Sequence, residues 1–200
     1  MSNIGKEFES RIMLTESEYL EIVSHFLKLY PNHKFLANNN YYFDTKDLSL
    51  RDKHITLRIR VINDVRFELT LKIKGDNGDV EINDDVSLKE KEILLKENVF
   101  PEGNVKRYLL SLPNPLSNYE NIVSLYNRRL EIEHDNHLLV IDKNEYAGII
   151  DYNLEIETKD DINLAKKLLG EYVKKFNLSL GNQKYYGKAH RAINAATKKD

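Results

Sequence analysis

The sequence contains no cysteine, which excludes disulfides and thiolate chemistry and fits a reducing interior. No apolar run is long enough to cross a bilayer, and Met1 to Lys6 lacks the apolar core of a signal peptide. The expectation is therefore a soluble, cytoplasmic protein without a membrane partner. Neither sign of charge is in excess: 30 basic and 32 acidic residues leave a formal net charge of −2, so no global field favours nucleic acid. No glycine-rich run leads into Lys-Ser or Lys-Thr, which rules out a Walker-type phosphate loop. Linkers, low-complexity segments and solenoid repeats are lacking too, and a chain of 200 residues suits a single domain over 1–200.

What the chain has instead is alternation. Read as a strand, Glu7-Phe8-Glu9-Ser10-Arg11 sends Glu7, Glu9 and Arg11 to one face and Phe8, Ser10 and Ile12 to the other. Two carboxylates and a guanidinium in line can hold a divalent cation beside a phosphate, because hard cations prefer oxygen ligands. The pattern recurs. Arg58 and Arg60 oppose Leu57, Ile59 and Val61; Arg66, Glu68, Thr70, Lys72 and Lys74 oppose Phe67, Leu69, Leu71 and Ile73. In 122–133, Arg129, Glu131 and Glu133 share a parity, and in 149–158 so do Asp151, Asn153, Glu155 and Glu157. Leu138 to Asp142 reads as a buried strand with an acid at its end, and Val80 to Ile82 as a short one after the hairpin signal Asn77-Gly78.

Helices interrupt these strands. Thr15 to Glu18 has the form of a capping box, and Tyr19, Val23, Phe26, Leu27 and Tyr30 follow at helical spacing until Pro31. Further helices are expected over 87–96, 104–112, 163–176 and 186–196.

Two architectures accommodate this pattern. In a sandwich the apolar faces meet inside and the charges face water. In a barrel with its apolar faces outward, the amphipathic helices cover the outside and the charges line a wet lumen. Pattern alone leaves both open.

The ordered set Glu7-x-Glu9-x-Arg11, Leu57-Arg58-Ile59-Arg60, Leu71-Lys72-Ile73-Lys74-Gly75, Arg129, Leu139-Val140-Ile141-Asp142, Leu154-Glu155-Ile156-Glu157 and Lys184 resembles the CYTH superfamily, the triphosphate tunnel metalloenzymes. It looks most like their bacterial YjbK-like branch, and the resemblance runs from Glu7 to about Arg191. It implies an α+β fold, an eight-stranded antiparallel β-barrel with flanking helices, in one CYTH-like domain. It also implies metal-dependent hydrolysis of inorganic triphosphate or a related small triphosphate. Carried over position by position, Arg11, Arg58, Arg60, Lys72, Arg129 and Lys184 would grip phosphate. Glu7, Glu9, Asp142, Glu155 and Glu157 would hold Mg²⁺ or Mn²⁺, with Glu155 and Asp142 also orienting the attacking water. The sequence departs from the family where Arg11 stands in place of the usual lysine, and where Arg128 and Arg129 are adjacent; alternation with Glu131 turns Arg129 inward.

The same tunnel serves class IV-type adenylate cyclases, and a non-catalytic polyphosphate-binding module would keep the basic grips. The acid set weighs against a mere binder, and the lack of an evident cluster dedicated to adenine weighs against the cyclase. A homodimer is compatible with the sequence. His134 and His137 flank an expected hairpin turn and fall short of the ligand number of a structural zinc site. The pairs Tyr41-Tyr42 and Tyr185-Tyr186 read as barrel and helix packing.

Overall fold

The structure, a computed structural model, describes residues 3–75, 78–159, 161–179 and 186–197, and for 3–7 the backbone alone. Its strands are β1 (Asn3–Leu14), β2 (Leu36–Asp44), β3 (Ile55–Ile62), β4 (Arg66–Ile73), β5 (Asp79–Val86), β6 (Glu120–His134), β7 (His137–Tyr146) and β8 (Ile149–Thr158). They form a closed ring in the order β1-β5-β4-β3-β2-β6-β7-β8, antiparallel at each step. Closure depends on β1 serving two partners: 3–7 pair with β5, and 8–14 pair with β8. A closed ring leaves no strand edge open to another chain.

The outward faces are apolar, as a barrel requires when helices lie on its surface. Helices α1 (Glu16–Leu29), α2 (Ser49–Asp52), α3 (Leu88–Glu97), α4 (Asn104–Leu110), α5 (Ile162–Lys175) and α6 (Lys188–Thr197), with a 3-10 turn at Leu116–Asn118, complete the described elements. One core packs Tyr19, Ile22 and Phe26 of α1 and Leu169 of α5 against Ile12, Leu130, Leu139 and Leu154. A second packs Leu94 of α3 and Val105 and Leu109 of α4 against Leu57, Ile59, Leu69 and Leu71. These four strand residues are 0–1 % exposed, each worth about 1.5–3 kcal/mol against leaving it in water.

Local chemistry sets the element ends. Thr15 and Glu18 close a reciprocal capping box on α1, and Ser87 and Glu90 do the same on α3. Asn63 and Asp64, at φ 49° and 60°, turn β3 into β4; Ala147 and Gly148, at 45° and 75°, turn β7 into β8. Gly78 (φ 97°) lies against Phe8, where a Cβ would meet the ring at 2.7 Å; its partner in the hairpin signal, Asn77, lies outside the described residues.

Two elements differ from expectation. The single turn α2 is too short for any periodicity to reveal. The Asp44 carboxylate organises it by accepting from the backbone N–H of Thr45 (2.8 Å), Leu50 (2.9 Å) and Arg51 (2.9 Å). Strand β5 runs on through Asn83, Asp84 and Asp85, residues that argue against a strand. Asp84 is spent on an outward task, accepting from the N–H of Val105 at 2.8 Å to hold the start of α4.

Candidate active site

Inside the ring is a cavity of about 820 Å³. The lumen takes every second residue of each strand, so the parity of the sequence decides which side chains enter it. Register then decides which of them meet. Glu9 is level with Glu157 and Arg11 with Glu155 across β1 and β8, and the carboxylate oxygens of Glu9, Glu155 and Glu157 come within 4.8 Å of one another. This is an all-oxygen donor set of the kind hard divalent cations take.

Cations hold the three acids together. Arg11 pairs with Glu9, and its Nε lies 3.0 Å from Glu155 Oε1. Lys72 Nζ is 3.6 Å from Glu9, 3.5 Å from Asp79 and 3.2 Å from Glu81. Burial by itself would raise the Glu9 carboxyl, but the charges of Arg11 and Lys72 outweigh it and bring it down to about 2. Glu155 shows the same contest, burial against Arg11 and Lys188, and is lowered. Both therefore stay ionised at neutral pH, which is the state a cation needs and a general acid does not.

The opposite wall is of the other kind. Strand β3 stands three places from β1 and four from β8 around the ring and carries Arg58 and Arg60 into the lumen. Arg60 Nε donates to the Asn40 amide oxygen at 2.9 Å, and Arg58 Nε is buried without a hydrogen-bond partner. Among the described residues neither arginine makes an ion pair. Burial, then repulsion from Arg58 and Arg129, lowers the Arg60 guanidinium to about 10. Two half-buried guanidiniums with no ion pair among the described residues are well suited to a multivalent anion. Arg11, Lys72 and Arg129, by contrast, are already engaged by carboxylates.

Arg129 does point inward, while Arg128 lies outside over the Phe35 ring at 4.0 Å. Asp142 does not join the acid cluster. It is 0 % exposed: Oδ1 accepts from Arg129 Nε (2.9 Å) and Asn127 (2.9 Å), and Oδ2 from Arg129 Nη2 (3.0 Å), Lys188 (2.8 Å) and Asn153 (3.2 Å). To serve as the expected ligand and water-orienting group, Asp142 would have to give up one of these donors. Glu7 pairs with Asp79 in the backbone register, its side chain lying outside the described residues, as does all of Lys184.

Other lumen residues escaped sequence reasoning. Helix α6 closes one mouth of the barrel: Ala192 and Ile193 pack with Tyr42, Val123, Leu125 and Tyr146, an apolar end inside an otherwise polar tunnel. Arg191 fixes it there, donating to both oxygens of Asp151 at 2.8 and 3.0 Å. Lys188 then reaches Asp142 (2.8 Å) and Glu155 (2.7 Å). The available signal was Lys188, Arg191 and Ala192 at helical spacing on one face. For Asp79 and Glu81 it was the parity rule, applied to a strand that looked too short to trust. Tyr42 is packed as expected, whereas Tyr186 stacks on His190 at 4.4 Å. His134 and His137 stack on each other outside the tunnel, both ring Nε2 atoms facing the Tyr172 hydroxyl at 3.3 and 3.2 Å.

A closed eight-stranded ring with acids on one wall and an arginine pair on the other is a distinctive object, and a family model, the CYTH domain, matches residues 5–180 of this chain. The chain belongs to the CYTH family. Its relatives include YjbK of Bacillus subtilis (strain 168), named as a candidate triphosphatase, at 36 % identity over 154 residues, or 77 % of this chain and 78 % of that protein. Among solved structures, a Bacillus halodurans protein described as a candidate adenylate cyclase superposes with a TM-score of 0.82 at 27 % identity, covering 94 % of this chain and 97 % of the other. A Hippeastrum protein, described as a candidate adenylyl cyclase with a dominant triphosphatase activity, shares the fold with a TM-score of 0.70 at 18 % identity, over 92 % of each chain.

Proposed function

We propose that this CYTH protein is a triphosphatase that draws inorganic triphosphate, or a similar small triphosphate, into its tunnel and hydrolyses a phosphoanhydride bond with the help of Mg²⁺ or Mn²⁺. The observation that carries the reading is the polarised lumen: three carboxylates within 4.8 Å on one wall, and on the other two arginines that have no carboxylate partner among the described residues. An anion bridging the walls through a cation satisfies both. The YjbK relative, named as a candidate triphosphatase, supports the same activity.

Glu9, Glu155 and Glu157 would hold the cation. Bound there, such an ion withdraws charge from phosphate oxygens and lowers the pKa of a coordinated water. Arg58 and Arg60 would grip the chain of phosphates from across the tunnel. Lys72 and Arg129, on strands between the two walls, would follow its length, and Arg11 would orient Glu9 and Glu155. Lys184 is assigned a phosphate contact, and Glu7 a supporting place beside the cation, from the family pattern. A carboxyl held near 2 makes Glu9 a weak base suited to holding a cation, and positioning and electrostatics supply most of the rate in phosphoryl transfer.

The test is phosphate release from triphosphate and from ATP, each with Mg²⁺, Mn²⁺ or a chelator. Triphosphate should give phosphate and pyrophosphate with the higher kcat/KM, because the grips address phosphates and a nucleoside adds bulk without charge. Chelation should abolish turnover. Cyclic AMP and pyrophosphate as the main products from ATP with saturating Mn²⁺ would make the protein a cyclase instead.

A further inference from the structure

Among the described residues, Lys188 is the one lumen cation that arrives on a helix rather than on a barrel strand together with a bond to the acid cluster. Its position is unfavourable for the helix. It opens α6, whose first turn contains no acid, and a cation at a helix N-terminus opposes the macrodipole. Something in the tunnel therefore holds it. The contacts say what: Nζ lies 2.7 Å from Glu155 Oε2 and 2.8 Å from Asp142 Oδ2, with 11 % of the side chain exposed.

Glu155 has two other cationic neighbours, Arg11 at 3.0 Å and Arg129 at 3.5 Å. Both are rooted in barrel strands, and each has another carboxylate to hold it, Glu9 for Arg11 and the two-pronged Asp142 for Arg129. Lys188 differs in both respects. Its ammonium is a point charge on a flexible stem, and it can keep Asp142 while giving up Glu155.

We infer that Lys188 competes with the divalent cation for Glu155, and that this competition couples cation binding to triphosphate binding. With the tunnel empty of anion, Lys188 neutralises Glu155 and weakens the cation site. A phosphate in the lumen offers the ammonium an alternative partner, which opens Glu155 to the cation; the cation, by taking Glu155, turns Lys188 toward phosphate. Coupling of this kind is reciprocal, so each ligand must tighten the other by one and the same factor. The inference rests on the reading of the tunnel as a triphosphate and cation site.

Mn²⁺ binding to the full chain, measured by electron paramagnetic resonance of the free ion with and without the non-hydrolysable imidotriphosphate, tests it. In the wild type, imidotriphosphate should tighten Mn²⁺ about tenfold, within the usual range of coupling, and Mn²⁺ should tighten imidotriphosphate equally. Lys188→Met should bind Mn²⁺ about tenfold more tightly without anion and lose most of the coupling, whereas Lys188→Arg should keep it. Lys74→Met removes a lining lysine with no bond to Glu155 and controls for net charge; it should leave Mn²⁺ affinity within about twofold, since an exposed charge is screened. Unchanged or weaker Mn²⁺ binding in a folded Lys188→Met overturns the inference, as does equal tightening in Lys74→Met. Should Lys188→Met fail to fold, an absence of coupling in the wild type overturns it. Failure to hydrolyse triphosphate would instead sink the proposed activity and leave the anion-free Mn²⁺ comparison standing.

Discussion

Asp142→Ala separates a buried brace from a metal ligand. Asp142 is 0 % exposed, and its two oxygens accept from Arg129, Lys188, Asn127 and Asn153 at 2.8–3.2 Å. Removing it strands the Arg129 guanidinium and the Lys188 ammonium inside the barrel with one less counter-charge. Breaking a buried pair from one side costs about 3–5 kcal/mol. For a chain of this size about 1 kcal/mol moves the melting temperature by roughly 2–4 °C, so the apo protein should lose about 6–20 °C. Circular dichroism melting without metal measures it. Asp142→Asn, which keeps the volume and some of the hydrogen bonds, should lose less. A melting temperature within about 2 °C of wild type, with Mn²⁺ affinity gone, would refute the brace and restore Asp142 as a ligand.

Stability should also depend on acid. Glu9 titrates near 2 in the folded chain against an ordinary 4.5, so its contribution is complete above the unfolded value and is lost as pH falls from there toward 2. Urea midpoints should drop between pH 6 and pH 3 and drop less in Glu9→Gln; a flat profile contradicts the assignment. Arg60→Met removes a guanidinium that burial and its arginine neighbours disfavour. The apo protein should melt at the same temperature or higher, by up to about 4 °C per kcal/mol relieved, while KM for triphosphate rises at least about tenfold. A lower melting temperature with unchanged KM would make Arg60 a structural residue. Glu157→Gln should leave the apo melt within about 2 °C and cut both Mn²⁺ affinity and turnover by at least about tenfold, as measured by free Mn²⁺ and phosphate release; full activity would remove Glu157 from the cation site.

Much of this molecule is legible one strand at a time. The period of two places Glu9, Arg11, Arg58, Arg60, Lys72, Glu155 and Glu157 on common faces, and the same rule turns Arg129 inward and Arg128 outward. Capping boxes at Thr15 and Ser87 mark helix starts from four residues of sequence. These signals are local, since parity and capping depend on neighbours within a turn or a pleat. Which acids meet is another matter. The approach of Glu9, Glu155 and Glu157, and the retreat of Asp142 behind Arg129, come from the register of β1 on β8 and of β6 on β7, between residues up to some 150 positions apart in the chain. Closure of the ring faces Arg58 and Arg60 toward the acids, and only a closed barrel has an end for α6 to fill with Ala192 and Ile193. Lys188 looks like one more surface lysine in the sequence; packing of the helix that carries it delivers its charge to Glu155.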